Sequence, residues 1–161
     1  MNNLPRIFVD ADSCPRPVRA VILTKAAELS LEVIFAANRN IPFEIENPLF
    51  KMIICREGKD SADDFIVSSM QENDIAVTSD MLLADRLVKS GRTVINDRGT
   101  VFTKENIVRF LEERELSLQM EALGLHKGKS SRSFGPKEEA LFKECFYKIL
   151  DTLIRNIKSN C

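Results

Sequence analysis

Five short apolar runs separated by helix-length segments constrain this chain more than any other feature of its sequence. The first, Arg6-Ile7-Phe8-Val9-Asp10, joins β-branched and aromatic residues and stops abruptly at a carboxylate, as a buried strand does at its end. Runs at 31–37, 50–55, 75–78 and 93–95 repeat the pattern. Between the first two, Val18, Val21, Ile22, Ala26 and Leu29 recur at three- and four-residue spacing, which predicts a helix over 15–30 with Pro15 in its first turn. Further helices are predicted over 61–72, over 81–90 where Gly91 closes the segment, and over 103–123. Strands alternating with helices require crossover connections. The fold class that follows is α/β, a three-layer α/β/α arrangement around a mainly parallel central sheet, whose ligands gather beyond the carboxyl ends of the strands.

A last helix, 137–158, carries Leu141, Phe142, Cys145, Phe146, Ile149, Leu150, Leu153, Ile154 and Ile157, an apolar stripe expected to dock on the rest or to serve a homodimer. Before it lies a Gly/Ser/Lys-rich stretch, 126–137, without an acidic residue among 126–136, read as a mobile basic loop. With 161 residues and 44% hydrophobic content, one domain over 1–161 is the expectation. Lys+Arg 23 against Asp+Glu 24 leaves a net charge of −1, so any nucleic-acid surface must be local. The longest apolar run, 33–37, falls far short of the roughly 20 residues a membrane helix needs. Four cysteines without C-x-x-C spacing and no recognisable leader point to reduced thiols and a cytoplasmic setting.

The acidic residues are the candidate chemistry. Asp10 and Asp12 flank the end of the first strand, and a helix beginning near Pro15 leaves neither well placed as its cap. Asp63 falls on the helix face shared with Ile66, Val67 and Met70, which must turn inward, so its charge needs a partner. Asp60 stands one turn earlier. Asp80 ends the fourth strand and is equally placed to cap the next helix. Carboxylates roughly 5 Å apart repel by about 3 kcal/mol per pair at an effective dielectric near 20, a strain that a divalent cation relieves. Oxygen-only donors suit Mg²⁺ or Mn²⁺ and not zinc, since the chain has one histidine and scattered cysteines. Two acids are set aside: Asp64 by a capping box with Ser61, and Asp85 by an exposed pair with Lys89.

Other motifs carry less. Gly124-Leu125-His126-Lys127-Gly128-Lys129-Ser130 is one residue short of a P-loop and follows a helix instead of a strand. Cys14, near a helix start, reads as a packing thiol, and the single histidine leaves no base for a Ser/His/Asp or Cys/His mechanism.

Taken together, Val9-Asp10-Ala11-Asp12-Ser13-Cys14-Pro15, Ala37-Asn38, Asp60-Ser61-Ala62-Asp63-Asp64-Phe65-Ile66, Val77-Thr78-Ser79-Asp80-Met81-Leu82-Leu83-Ala84, Arg98-Gly99 and Phe134-Gly135-Pro136 resemble the bacterial YaiI/YqxD family over roughly 7–150. Where that family has a glycine-rich pair before the proline, this chain has Phe134-Gly135. The family is distantly similar to PIN-like and NYN-like nuclease domains. That resemblance implies a PIN-like fold and metal-dependent phosphodiester hydrolysis of RNA. Asp10, Asp63 and Asp80 would be catalytic, with Asp12 and Asp60 as further ligands to Mg²⁺ or Mn²⁺. Asn38 would orient substrate. Arg16, Arg19, Arg39, Arg98, Lys127, Lys129 and Arg132 are candidate phosphate contacts, each with the plainer role of a solvated charge. Two rivals stand beside this reading. A haloacid-dehalogenase-like phosphatase would use Asp10 as nucleophile and Asp12 as acid. A non-catalytic module would hold a metal and bind RNA or protein.

Overall fold

The computed structural model describes residues 4–43, 45–58, 60–125 and 133–159. In chain order the elements are β1 (Ile7–Asp10), a 3₁₀ turn (Ala11–Ser13), α1 (Arg16–Leu29), β2 (Val33–Ala37), β3 (Phe50–Ile54), α2 (Ser61–Ser69), β4 (Ile75–Val77), α3 (Met81–Lys89), β5 (Thr93–Ile95), α4 (Lys104–Ala122) and α5 (Pro136–Ser159). The five strands form one all-parallel sheet in the order β3-β2-β1-β4-β5.

Alternation along each strand divides the core in two. Ile7, Val9, Val33, Phe35, Ile75, Val77 and Ile95 meet Val18, Ile22 and Ala26 of α1 and Phe142, Phe146 and Leu150 of α5. The intervening residues Phe8, Ile34, Ala36, Ala76 and Val94 meet α2, α3 and α4 through Ile66, Leu83, Leu87 and Ile107. Strands buried on both faces must be apolar at every position, which is why they read as unbroken runs. The result is the three-layer α/β/α sandwich, with α5 docked beside α1. Gly99 permits that docking: its φ is +82°, and a Cβ there would run into the Leu141 carbonyl of α5.

Three local expectations need correction. Pro15 stands one position ahead of α1, and Pro17 occupies the first turn. Helix α2 stops at Ser69 instead of 72 because Asp74 captures the Gln71 N–H at 2.8 Å while Arg6 donates to the Ser69 carbonyl at 3.0 Å. The Ser61–Asp64 capping box does not form. The Ser61 hydroxyl lies 2.9 Å from the carbonyls of both Cys55 and Gly58, and Asp64 pairs with Arg86 at 2.9 Å. The Asp85–Lys89 pair does form, at 2.8 Å. Of the basic loop, residues 126–132 lie outside the described residues, and with them Lys127, Lys129 and Arg132. No helix among the described residues is long and apolar enough to cross a membrane.

Candidate metal centre at the carboxyl end of the sheet

The two central strands build the site. Val9 of β1 lies opposite Val77 of β4, so the next step along the register brings Asp10 beside Thr78. Here the chain order reverses, because β2 and β3 lie to one side of β1 and β4 and β5 to the other. Such a switch point opens a crevice beyond the carboxyl ends.

Asp10, Asp63 and Asp80 converge on that crevice, each offering one carboxylate oxygen, and the three oxygens lie within 4.8 Å of one another. They arrive from three separate connections: the end of β1, the first turn of α2, and the residue preceding α3. Asp10 is 6% exposed, whereas the other two are half-buried.

A hydroxyl network fixes Asp10. Thr78 Oγ1 donates to its Oδ2 at 2.8 Å, and Ser13 Oγ donates to the same oxygen at 3.0 Å. Thr78 Oγ1 in turn accepts the Asp80 N–H, and Ser13 Oγ accepts the Ser79 N–H. Asp80 is tied down separately, since its Oδ1 accepts the N–H groups of Leu82 and Leu83 and thereby caps α3. The capping role and membership of the cluster therefore coexist in one side chain.

The electrostatics are those of crowded, partly dehydrated acids. Burial raises the pKa of Asp10, the Thr78 and Ser13 hydrogen bonds oppose the rise, and the charges of Asp80 and Asp12 reinforce it. Asp63 is pushed up to about 6, first by burial and then by Asp80, Asp10 and Asp60, with Arg86 pulling weakly the other way. Among the described residues Asp63 receives no hydrogen bond. Three oxygen donors of this kind fit a hard divalent cation. Oxygens bound to one Mg²⁺ lie at most about 4.2 Å apart, so a cluster spanning 4.8 Å needs only a small side-chain rotation to close on one.

The remaining candidates occupy the rim. Asp12 is exposed and accepts from Arg39 Nε and the Asn38 N–H, both at 3.4 Å, which places it outside the three-carboxylate cluster. Asp60 precedes α2, exposed and making no cap bond, and reaches the site only through its field on Asp63. The Asn38 side chain faces Ser61, 3.4 Å away. Arg16 opens α1, and the Arg98 guanidinium lies 5.7 Å from the centre of the Phe134 ring. Lys129 is outside the described residues. Cys14 is buried, with its thiol pushed up by that burial, as a packing cysteine should be. Sequence reasoning passed over the roles of Thr78, Ser13 and Ser79. Their signal was present as hydroxyl residues next to strand-end carboxylates, but it becomes legible only once β1 and β4 are known to be neighbours.

The family profile described as "Uncharacterized BCR, YaiI/YqxD family" matches residues 8–152. A UPF0178 protein of Treponema denticola is 40% identical over 149 residues, spanning 92% of this chain and 91% of its own length. A UPF0178 protein of Agrobacterium fabrum is 37% identical over 154 residues, spanning 96% and 95% respectively. No solved structure matches the chain.

Proposed function

The chain belongs to the YaiI/YqxD family, and on that premise we propose that it is a divalent-metal-dependent phosphodiesterase acting on RNA through Asp10, Asp63 and Asp80. One observation carries the reading: three acids from three connections bring their oxygens within 4.8 Å at the sheet's switch point. The names of these relatives state no activity, so the chemistry rests on the site alone.

Asp10, Asp63 and Asp80 would hold Mg²⁺ or Mn²⁺, with Asp60 adding negative field from the rim. When bound, the cation supplies Lewis-acid polarisation of the phosphodiester and offsets the charge that grows on it. Thr78 and Ser13 hold the Asp10 carboxylate in one orientation, which is what a centre of fixed geometry requires. Asp80 is held by its two cap bonds. Arg16, Arg39 and Arg98, all on segments that follow carboxyl ends of strands, are the proposed phosphate contacts. The phosphatase rival is weakened by Asp12, which its mechanism needs beside Asp10 and which instead pairs with Arg39.

Labelled single-stranded RNA incubated with Mn²⁺ tests the proposal, using the native protein beside Asp10→Asn and Asp80→Asn. Cleavage should require metal and fall more than about a hundredfold in both variants. Equal metal-dependent cleavage by all three would remove the site. A phosphorylated Asp10 trapped from a phosphomonoester would establish the phosphatase, and metal binding without turnover of RNA, DNA or phosphomonoester would establish the module.

A further inference from the structure

Helix α4 presents Phe110, Glu113, Arg114 and Ser117 at i, i+3, i+4 and i+7, a single stripe. The stripe faces the start of α3, and between them runs a groove of about 470 Å³ whose opposite wall is Ser79, Asp80 and Met81. Asp80 belongs to both the groove and the acidic cluster, so the groove borders the proposed metal centre.

Arg114 is the one cation among the lining residues. It is half-buried on a stretch of α4 that is otherwise largely exposed, and it forms no ion pair among the described residues. The neighbouring Glu113 carboxylate pairs with Arg109, at 3.8 Å. Phe110 is half-buried with its ring set edge-on to Phe102, centroids 5.4 Å apart, and carries the Arg109 guanidinium over one face, 5.1 Å from its centroid, so the ring is held in place. A cation and an aromatic face side by side, next to a centre for phosphodiester chemistry, match the way proteins hold single strands: a charge for the phosphate and a ring for the base.

We propose that the α3–α4 groove is a nucleotide subsite, which receives the residue of a polynucleotide adjoining the scissile phosphodiester. Arg114 takes the flanking phosphate, and Phe110 with Met81 supports the base. The subsite rests on the phosphodiesterase reading and extends it, since a phosphomonoester would leave the groove empty while a polynucleotide fills it.

Fluorescence anisotropy with labelled ten-nucleotide single-stranded RNA and DNA tests this, with Ca²⁺ present to neutralise the carboxylates. Arg114→Gln should weaken binding about tenfold and lower the salt slope of log K by about one, without altering the melting temperature. Lys148→Gln, on α5, should bind as the native protein does. In turnover with Mn²⁺, Arg114→Gln should raise KM for the decamer about tenfold and leave KM for bis(p-nitrophenyl) phosphate, which has no flanking phosphate for Arg114, unchanged. Comparison of the RNA and DNA arms assigns the sugar. Unchanged affinity and slope in Arg114→Gln, equal weakening in Lys148→Gln, or no binding by the native protein would each overturn the subsite. The two readings fail separately. Arg114-dependent binding without cleavage keeps the groove and ends the nuclease, while metal-dependent cleavage indifferent to Arg114 does the reverse.

Discussion

Asp74 and Asp10 sit at opposite ends of the same sheet, both buried, at 3% and 6% exposure, and their surroundings differ in sign. At the amino end Asp74 meets Arg6 Nη2 at 2.8 Å and also accepts the backbone N–H groups of Arg6 and Gln71. At the carboxyl end the hydrogen bonds to the Asp10 carboxylate among the described residues come from hydroxyls alone, and the charges around it are the acids Asp63, Asp80 and Asp12. A buried charge costs several kcal/mol unless it is paired. The amino end supplies that pairing from within the chain. The carboxyl end stacks acid on acid, which is unfavourable by itself and makes sense where a cation completes the set.

The contrast can be broken by experiment, and the largest effect belongs to the compensated end. Asp74→Ala strands Arg6 and the Gln71 N–H, and should cost about 3 kcal/mol in urea unfolding. A loss under about 1 kcal/mol would mean that the pair is not structural.

Mn²⁺ should act only at the other end. At a hundred times its Kd, a single bound ion raises unfolding free energy by about 2.7 kcal/mol. The rise should vanish in Asp10→Asn and Asp80→Asn, yet persist in Asp74→Ala, as read by thermal melts. Asparagine keeps the helix cap at position 80, so loss of the metal response there separates the two roles of that side chain.

The acidic crowding should also appear in metal-free protein. Asp63 has a folded pKa of about 6 against an ordinary value of 3.8. The folded state therefore holds more protons than the unfolded state between about pH 4 and 6. Stability from this group declines as pH rises through that window and stays lower above it. Asp63→Asn should flatten the profile and stabilise the metal-free protein by about 1 kcal/mol at pH 7.5, allowing for solvent screening of a half-exposed group. A destabilised variant would mean that the cluster is not strained. The smallest effect is expected for Asp85→Ala, which removes a helix-surface pair with Lys89 and should cost about 0.3 kcal/mol with no change in metal response.

Helix phase sorted some acids without any structure. Asp63 faces inward, and Asp85 pairs along its own helix, because both outcomes depend on residues within two turns. The same reasoning failed for Asp64, since its partner Arg86 comes from the next helix, and for the end of α2, since Arg6 and Asp74 reach it from other elements. Proximity along the chain alone groups Asp12 with Asp10. Asp12 falls inside the 3₁₀ turn that Asp10 precedes, and Arg39 from the segment after β2 pairs with it at the rim.

By itself the sequence determined the α/β class, the strands and helices to within a few residues, and the acids available at the strand ends, because apolar period and turn chemistry are local properties. Only the tertiary structure decided the strand order β3-β2-β1-β4-β5, the meeting of Asp10, Asp63 and Asp80, the hydroxyls of Thr78 and Ser13 that orient Asp10, and the Arg114 groove beside the cluster. Those features depend on which strands become neighbours and which helix covers which face, and that is set by burying two apolar faces at once across residues far apart in the chain.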